Sequence, residues 1–491
     1  MLPPVRVEVL KKRLAEVEAD LHVVPRTSAE TAVPTEFAAT PGASDASTDY
    51  RRTALLRPPQ GPERLLIVGL GDLDDLDDER FRVAAALAAK QARRFKARSL
   101  AWWLPITAGA PESEQRVADV VAGTVLACYR FDRFKTPEDE DRPPPLEALT
   151  IAIAGELSDE LARAAEVSRV ASEAANRARE LQQLPANVVT PTYLAERADE
   201  LASEHDSLSS EALGPEEISE RGMGGLEAVS QGTAEEPRMI VLRHEGGPEE
   251  GETLGLVGKG VTFDTGGISI KPSQSMEEMK MDMSGAAAVL EAMGAIAELE
   301  LPLKVLALIP ATENMPSGTA IKPGDVITQL NGKTVEVNNT DAEGRLILAD
   351  ALAYSVELGA DRIVDLATLT GAVLVALGST YAALVSNDDE WASELEGAAD
   401  RTGELAWRLP LHPEYKELTK GRDADLTNAS AKRKAGTIYA ASFLEEFVDD
   451  IPWAHLDIAG TAWDVGREYV GKGPTGFGVR LIVELTRSLT R

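Results

Sequence analysis

The later part of the sequence alternates short apolar runs with longer helical patterns, and this alternation limits the folds that the chain can adopt. The apolar runs are MIVLRH (239–244), TLGLVGKG (253–260), LKVLALIP (303–310) and RIVDLAT (362–368). Helical patterns lie near residues 284–299 and 345–358. Apolar runs separated by helices are typical of βαβ units, in which helices cover both faces of parallel strands. The sequence therefore predicts an α/β domain with a mostly parallel central sheet.

The earlier part of the sequence predicts a second, smaller α/β domain. Strand patterns occupy residues 5–10, 64–69 and 149–155, and a helical pattern runs from 79 to 98. The chain has 491 residues, which exceeds the usual ~100–200 residues of one domain. A long helical stretch ends at prolines, which cannot continue a helix. We expect an N-terminal domain at 1–158, a connecting helix at 159–184 and a larger domain at 185–491.

The charge of the chain excludes several classes of partner. Its 81 acidic and 50 basic side chains leave a formal net charge of −31. A surface this acidic repels phosphate backbones and anionic lipids, so we expect neither nucleic-acid nor membrane binding. No apolar run approaches the ~20 residues that span a bilayer, and Cys128 is the single cysteine. We therefore expect a cytoplasmic protein without disulfides or a cysteine-based zinc site.

Three segments of the larger domain combine glycine with carboxylates. They are GKGVTFDTGG (258–267), KMDMSG (280–285) and NTDAEGR (339–345), and they carry Asp264, Asp282, Asp341 and Glu343. We expect the first and third segments at the carboxyl ends of strands, where open α/β sheets bind their ligands. Four carboxylates that met there would repel one another unless cations held them. The pattern predicts a metal site in which two metals are bridged by shared carboxylates.

The third segment admits two interpretations. Asp341 and Glu343 are two residues apart, so both side chains point to one side of an extended loop. Gly344 would then permit a tight turn into a helix near Arg345. A guanidinium beside the free N–H groups of a helix start binds a small anion. Taken alone, the two acids are equally consistent with a helix N-terminal cap.

Two lysines accompany the carboxylates. Lys259 does not belong to a phosphate-binding P-loop, because no Ser or Thr follows it. A lysine beside clustered carboxylates, such as Lys259 or Lys271, can become a nitrogen ligand or can stay charged and polarise a carbonyl. None of the five histidines lies in the three segments, which leaves room for manganese or magnesium beside zinc. Hydrolysis through Ser269 and Lys271 is an alternative, but it leaves the carboxylates unexplained.

The sequence resembles the leucyl (cytosol) aminopeptidases. NTDAEGR, GKGVTFDTGG and KMDMSGAA (280–287) are similar to motifs of that family, and the intervals between them fit. The likeness covers nearly the whole larger domain, whereas the first domain is similar only loosely. It includes LPANVVTP (184–191), GMGGLEAVSQG (222–232), DLATLTGA (365–372), AGTIYAASFL (435–444), WAHLDIAGTAW (453–463) and PTGFGVRL (474–481). One departure is Thr265, where the family commonly has serine.

The resemblance implies a hydrolase, a metal-dependent leucyl aminopeptidase with two divalent ions per subunit, Zn2+ or Mn2+. The implied metal ligands are Lys259, Asp264, Asp282, Asp341 and Glu343. Asp264 and Glu343 would bridge both ions, and Lys259 and Asp282 would complete the more exchangeable site. The side chain and carbonyl of Asp341 would complete the other site.

The same resemblance implies a mechanism in which water held between the metals attacks the peptide carbonyl. Lys271 would stabilise the developing oxyanion. Arg345 would hold a bicarbonate that serves as the general base. The substrate's free α-amine would bind one metal, which explains why only N-terminal residues are released.

The implied substrate site consists of a side-chain pocket near Met279, Thr368 and Gly371 and a backbone contact from Leu369. An apolar pocket suits leucine and methionine, but one methylene discriminates by only about 1–3 kcal/mol, so we expect broad specificity.

The resemblance also implies a homohexamer that is assembled through the N-terminal domain and acts on peptides. Two alternatives exist within the family. A DNA-binding regulator conflicts with the net charge of −31, and a catalytically silent hexameric scaffold conflicts with the complete ligand set.

Overall fold

The computed structural model of the protein describes residues 3–29, 33–104, 112–136, 143–430 and 434–490. They form two compact units. The first comprises Met1–Asn176 with Gly466–Gly471, and the second comprises Arg177–Val465 with Lys472–Arg491. A single helix, Asp159–Gln183, begins in the first unit and ends in the second. The domain boundaries at residues 158 and 184 stay a prediction.

The first unit contains a six-stranded sheet. Its strands are β1 (Arg6–Lys11), β2 (Leu21–Thr27), β3 (Thr53–Leu56), β4 (Leu65–Gly71), β5 (Ser99–Leu104) and β6 (Ala148–Ile153). Its helices are α1 (Asp78–Arg94), α2 (Glu112–Ala127) and the greater part of α3 (Asp159–Gln183). The strand order is β1-β6-β5-β2-β4-β3, and only the pair of β3 with β4 is antiparallel. The predicted smaller α/β domain is confirmed.

Small and branched apolar side chains build the core of this unit. Ala84, Ala85 and Ala88 recur at helical spacing on α1 and pack in one cluster with apolar residues of the sheet and of α2. The Asp77 side chain caps α1 by accepting a hydrogen bond from the N–H of Arg80 at 2.9 Å. The helix therefore begins where its sequence supplies both a cap and an apolar face.

The second unit contains a nine-stranded sheet and a small three-stranded sheet. The strands of the large sheet are β7 (Leu208–Leu213), β8 (Arg238–Glu245), β9 (Thr253–Gly258), β10 (Gly260–Asp264), β11 (Lys304–Asn314), β14 (Arg362–Ala367), β15 (Ala382–Ser386), β16 (Ala406–Arg408) and β18 (Trp453–Asp457). Those of the small sheet are β12 (Asp325–Thr328), β13 (Thr334–Val337) and β17 (Leu426–Thr427).

The large sheet is parallel at its centre and mixed at its edges. Its order is β16-β15-β18-β14-β9-β11-β8-β7, and β10 pairs with β11. The neighbours β18, β14, β9 and β11 run parallel, and β10 is parallel to β11. Antiparallel pairs join β15 to β18 and β8 to β11 and β7. The predicted mostly parallel central sheet is confirmed, with antiparallel strands added towards both edges.

Ten helices accompany these sheets among the described residues. They are α4 (Pro191–Glu204), α5 (Pro215–Arg221), α6 (Gly224–Ser230), α7 (Ser284–Glu298), α8 (Gly344–Glu357), α9 (Gly371–Leu377), α10 (Asp389–Thr402), α11 (Pro413–Lys416), α12 (Gly436–Leu444) and α13 (Val479–Ser488). Nearly every residue of α7 and α8 is buried, because both helices are apolar around most of their circumference. No helix in the described ranges combines the length and the apolar character needed to cross a membrane.

The parallel centre brings several strand ends to one edge of the sheet. The strands β10, β11 and β18 end at Asp264, Asn314 and Asp457, while Lys259 follows β9 and Thr368 follows β14. Because the carboxyl ends of parallel strands share an edge, these polar residues converge there. Asp341 and Glu343 follow β13 of the small sheet. The third segment thus lies after a strand, as expected, but this strand belongs to the small sheet and not to the large one.

A buried glutamate on α7 predicts a pH-dependent stability. The Glu291 carboxylate is 1% exposed and accepts hydrogen bonds from Arg177 and Arg197, each at 2.8 Å. Burial opposes its charge, but the two arginines lower its pKa below the ordinary value. Glu291→Gln leaves two arginines without their carboxylate, so we expect a loss of about 3–5 kcal/mol in the free energy of unfolding at pH 7.

The depressed pKa determines how this loss varies with pH. The stabilisation by Glu291 is present above the unfolded-state pKa of about 4.3 and declines as the pH falls through the lower folded-state value. Denaturant unfolding at pH 7 and pH 3 checks this, with exposed Glu298→Gln on the same helix as the control. An equal difference between wild type and variant at both pH values would contradict the assignment.

Candidate functional site

Four carboxylates and two lysines form a cluster at the carboxyl edge of the large sheet, and we call it the carboxylate–lysine cluster. Its members are Lys259, Asp264, Lys271, Asp282, Asp341 and Glu343. Asp264 ends β10, Asp282 lies just before α7, and Glu343 immediately precedes α8. The fold thus brings together three segments that the sequence predicted to meet.

Lys259 lies at the buried side of the cluster and is 3% exposed. Its Nζ is 2.9 Å from Asp282 Oδ1 and 2.9 Å from Glu343 Oε1. It also donates a hydrogen bond to the backbone carbonyl of Thr368 at 3.1 Å. The Thr368 hydroxyl donates to Asp282 Oδ1 at 2.6 Å, so the substrate-binding segment predicted at 368–371 is tied to this side of the cluster.

Lys271 lies at the more open side. Its Nζ is 2.8 Å from Asp264 Oδ2 and 2.5 Å from Asp341 Oδ1. The side chains of Lys271 and Asp341 are 23% and 33% exposed, compared with at most 7% for the other members. Ser269 Oγ accepts a hydrogen bond from the N–H of Thr340, and no described hydrogen bond joins it to Lys271. The arrangement therefore gives no support to hydrolysis through Ser269 and Lys271.

Asn314 supports the cluster, and the sequence analysis missed it. Its Nδ2 donates to Asp264 Oδ1 at 2.8 Å and to the Thr340 carbonyl at 3.0 Å, and it lies 3.5 Å from Glu343 Oε2. The apolar run at 303–310 ends before Asn314, whereas β11 continues to this residue. A polar residue at the end of a buried strand is the signal that would have identified it.

The cluster carries more negative than positive charge. Four carboxylates against two ammonium groups leave a formal charge of −2. Burial raises the pKa of Asp264 to about 7, and the charges of Glu343 and Asp282 add to this effect. Burial also raises the pKa of Asp282 to about 6, against the attraction of Lys259. The pKa of Glu343 is lowered, because the two lysines outweigh its burial.

The donor set fits divalent cations. Carboxylate oxygens of Asp264, Asp341 and Glu343 lie within 4.8 Å of one another. Asp282 Oδ2 and Asp341 Oδ1 each lie near a lysine Nζ but accept no well-directed hydrogen bond. The two ammonium groups thus occupy positions where the carboxylates require positive charge. Oxygen-rich sites of this kind accept manganese or magnesium as well as zinc.

The start of α8 gives no support to a helix cap by Glu343. Glu343 is the residue before the helix, but its side chain caps no helix N–H and contacts Lys259 instead. Gly344 has no positive φ, so the expected role in a tight turn was wrong. A Cβ at Gly344 would lie 2.6 Å from Cε of Lys259. The glycine leaves room for the lysine side chain, which passes this close to the helix start.

Arg345 is buried near the cluster. Its Nη1 donates to the Asn428 carbonyl at 2.7 Å, and its guanidinium lies 5.5 Å from the centre of the Tyr439 ring. Its Nε has no hydrogen-bond partner among the described residues, and no described carboxylate forms an ion pair with it. Burial lowers the pKa of Arg345. An unpaired guanidinium at a helix start is able to bind a small anion.

The predicted substrate-binding residues occupy two neighbouring segments. Thr368 and Leu369 follow β14, and Gly371 begins α9 with open space where a side chain would project. Met279 is half-buried in a short 3-10 helix that ends at Met281 just before Asp282. No hydrogen bond of the described residues connects the Met279 side chain with the cluster. Among the described substrate-binding residues, Thr368 is the one whose side chain donates a hydrogen bond to the cluster.

Comparisons with known proteins find the same family in the N-terminal part and in the remainder of the chain. Residues 176–483 match the catalytic domain of the cytosol aminopeptidase family, and residues 38–138 match its N-terminal domain. A probable cytosol aminopeptidase of Roseiflexus castenholzii is 47% identical over 430 residues, which cover 87% of this chain and 88% of the relative.

Two solved structures are similar to the whole chain. A mutant of tomato leucine aminopeptidase has a TM-score of 0.88 at 34% identity and covers 99% of this chain and 97% of its own. The bottromycin maturation enzyme BotP in complex with Mn has a TM-score of 0.86 at 37% identity and covers 96% of this chain and 100% of its own.

Proposed function

The chain belongs to the cytosol aminopeptidase family and is a metal-dependent aminopeptidase, and from this membership we propose that it releases N-terminal residues from peptides with two metal ions. The observation that carries the proposal is the carboxylate–lysine cluster. Its excess negative charge, its burial and its position at the edge of a parallel sheet all suit a pair of divalent cations.

The proposed ligands are the five residues that carry the cluster's oxygen donors and its buried amine: Lys259, Asp264, Asp282, Asp341 and Glu343. When bound, the two ions supply Lewis acidity at the scissile carbonyl and lower the pKa of the attacking water. We propose Zn2+ or Mn2+, because the donor set is rich in oxygen and the similar BotP structure is a complex with Mn. Asn314 would orient Asp264 and Glu343, since its amide lies between them.

Two further residues would act on the reaction itself. Lys271 lies on the open side of the cluster, where its ammonium group can donate a hydrogen bond to the developing oxyanion. Arg345 would hold a bicarbonate through its unpaired Nε, and this anion supplies general-base chemistry when bound. The burial of Arg345 strengthens the attraction between the guanidinium and an anion.

The proposed substrate site combines the pocket residues Met279, Thr368 and Gly371 with a backbone contact from Leu369. The open space beside Gly371 leaves room for a side chain of the substrate. We propose a preference for leucine and other apolar residues, in line with the name of the tomato relative, and a specificity that is broad because apolar pockets discriminate weakly.

The proposed setting is a cytoplasmic homohexamer that acts on peptides. Support comes from the relatives, which bear the name cytosol aminopeptidase, and from the resemblance stated above. Sedimentation of the purified protein tests the hexamer. Neither a DNA-binding role nor a silent scaffold is supported by an observation on this structure.

Metal removal and return test the proposed function. The protein is treated with a chelator, dialysed, and assayed on leucine p-nitroanilide before and after addition of zinc, manganese or cobalt. We expect activity to disappear with the metal and to return with at least one of these ions. Circular dichroism shows whether the protein stays folded, and a folded, metal-loaded protein without activity would refute the proposal. The same assay on methionine, alanine and glutamate derivatives measures the preference for apolar residues.

Lys271→Ala and Arg345→Ala are expected to retain metal and lose rate. Removal of Lys271 takes away the oxyanion donor, so kcat should fall about 10²–10³-fold. Removal of Arg345 should cost less, about 10–100-fold, because this residue acts through an anion and does not touch the scissile bond. Metal content by emission spectroscopy and steady-state kinetics check both variants. A larger loss for Arg345→Ala than for Lys271→Ala would reverse the proposed roles.

A further inference from the structure

A buried carboxylate outside the carboxylate–lysine cluster holds the predicted substrate-binding segment. Asp457 is the last residue of β18 and is 0% exposed. No described lysine or arginine forms an ion pair with it. Its hydrogen bonds come from its own turn and from the segment that follows β14. A carboxylate so deeply buried without an ion-pair contact needs several donors to offset its desolvation.

The donors are unusual in their arrangement. The backbone N–H groups of Leu369 and Thr370 both point at Asp457 Oδ1, at 3.2 and 3.4 Å. The N–H of Ala459 donates to the same oxygen at 3.2 Å. The Thr370 hydroxyl donates to Oδ2 at 2.5 Å. One carboxylate therefore determines the direction of two successive peptide groups beside the predicted catalytic centre.

Because peptide groups are planar, these contacts also determine where the carbonyl groups of the segment point. In a trans peptide the N–H and the C=O point in opposite directions, and the described residues contain no cis peptide bond. The N–H of Leu369 faces Asp457, and the carbonyl of the same peptide group, that of Thr368, accordingly faces Lys259 at 3.1 Å. By the same rule, the Leu369 carbonyl points away from Asp457.

The Leu369 carbonyl is available for a ligand. No described N–H or hydroxyl donates a hydrogen bond to it, although Leu369 is partly buried. The carbonyl before it already accepts from Lys259. This carbonyl is partly buried beside a peptidase centre, and the hydrogen bond from the Thr370 N–H to Asp457 fixes its direction. It is therefore suited to accept a backbone N–H of the substrate.

A second anchor holds the segment from the other side. The Thr370 hydroxyl lies 2.8 Å from the hydroxyl of Thr437, which is 4% exposed and belongs to α12. The segment is thus fixed at Thr368 by the cluster and at Thr370 by Asp457 and α12. Little freedom is left for the peptide group between these points.

We propose that Asp457 is a positioning residue, which directs the Leu369 carbonyl towards the N–H of the scissile peptide bond. This inference rests on the proposed aminopeptidase function. Asp457 itself does not touch substrate or metal and acts through the backbone of Leu369 and Thr370.

Two substitutions separate the hydrogen bonds of Asp457 from its charge. Asp457→Asn keeps an oxygen that accepts from both N–H groups, and its new NH2 can donate to Thr370 Oγ1 while that hydroxyl donates to Thr437. We expect this variant to retain near wild-type kinetics. Asp457→Leu has a similar size but no acceptor, and we expect kcat/KM for peptides to fall about 10–100-fold.

A pair of substrates tests the direction of the carbonyl. Leucyl-glycine has an N–H at the scissile bond, whereas the ester of leucine with glycolic acid has an oxygen there. If Leu369 accepts that N–H, Asp457→Leu lowers kcat/KM for the peptide much more than for the ester. General damage to the site lowers both by the same factor. Wild type and variant, each assayed on peptide and ester, form a thermodynamic cycle. The difference between the two substrates isolates the contact with the scissile N–H.

Glu404→Leu is the control for loss of a buried carboxylate that accepts backbone hydrogen bonds; Glu404 also lies 3.5 Å from Arg480. Glu404 is a buried carboxylate that accepts hydrogen bonds from the N–H groups of Gly478 and Leu481 at 3.1 and 2.8 Å, at the start of α13. Its loss should lower the melting temperature and leave the ratio of peptide to ester hydrolysis unchanged. If Asp457→Leu does not fold, Thr370→Val removes one donor to the same carboxylate and should shift the ratio in the same direction by a smaller factor.

The outcomes are distinct. Equal losses on peptide and ester, or equal losses for Asp457→Asn and Asp457→Leu, overturn the role of Asp457. The proposed function is judged separately, by hydrolysis of leucyl-glycine by the metal-loaded wild type. A wild type that cleaves neither substrate refutes that function, whereas an active wild type with an unchanged ratio in the variant refutes only the positioning role.

Discussion

Glu343→Ala is expected to lose both metal ions and peptide hydrolysis. The Glu343 carboxylate is 2% exposed and lies at the centre of the carboxylate–lysine cluster, 2.9 Å from Lys259 Nζ and 3.5 Å from Asn314 Nδ2. It is proposed to bridge both ions, so its removal takes one ligand from each. Because it would contact the ions directly, the loss of activity should exceed the ~10–100-fold typical of a supporting hydrogen bond.

The charge of the cluster gives this prediction a second readout. Without Glu343, Lys259 keeps only the Asp282 carboxylate within ion-pair distance among the described residues. The formal charge of the cluster changes from −2 to −1, so divalent cations are attracted less strongly. Isothermal titration with Mn2+ measures the affinity independently of turnover.

Glu357→Ala is the control, because Glu357 is exposed and ends the helix that Glu343 precedes. This variant should match the wild type in metal content and rate. Two ions per chain in Glu343→Ala would show that Glu343 is not a bridging ligand, whatever the activity. The melting temperature of the metal-free protein shows whether the fold itself has changed.

Gly285→Ala is expected to cause a large loss of stability. Gly285 lies in the first turn of α7, where the helix passes close to β9 and β14. A Cβ there would lie 2.0 Å from the carbonyl oxygen of Leu366 and 2.9 Å from the backbone nitrogen of Lys259. Leu366 belongs to β14 and Lys259 directly follows β9, and no rotamer change can move their backbone atoms. We expect the free energy of unfolding to fall by more than about 3 kcal/mol.

The same substitution should also weaken metal binding. Asp282 lies three residues before Gly285, and the N–H of Ala286 donates to the Lys259 carbonyl at 2.9 Å. A helix that moves away from the sheet carries Asp282 away from Lys259. Denaturant unfolding and metal titration check the two effects. Gly318→Ala is the control, since Gly318 is exposed and has open space at its Cβ. Similar stability of the two variants would contradict the close packing of α7.

The elements that the sequence predicted are those with a strong local pattern. The connecting helix expected at 159–184 is observed as Asp159–Gln183, because prolines that cannot continue a helix follow it in the sequence. Helices α7 and α8 and strands β8, β9 and β14 were likewise expected. The end of β11 was missed, since Pro310 breaks the apolar run while the strand continues to Asn314.

At the candidate site, too, some residues were predicted from the sequence and others were not. The motifs indicated which carboxylates and lysines belong together, and the structure brings them within hydrogen-bond distance, while their roles as ligands stay a prediction. Asn314 and Asp457 were not predicted, although both end strands at the same edge of the sheet. Apart from the N–H of Ala459, which Asp457 accepts within its own turn, these partners lie 26 to 88 residues away in the chain, beyond the reach of any local pattern.

The sequence by itself determined the class of fold, the family and the set of charged residues at the candidate site, because periodicity, motif spacing and charge are local properties of the chain. Only the tertiary structure decided that Asp341 and Glu343 follow the small sheet, that Gly344 makes room for Lys259, and that Asp457 holds the Leu369 segment. These features depend on the distance and direction between groups that packing brings together. Hydrogen bonds are short and directional, so the order of residues in the chain does not predict them. They are defined only once the sheet is assembled.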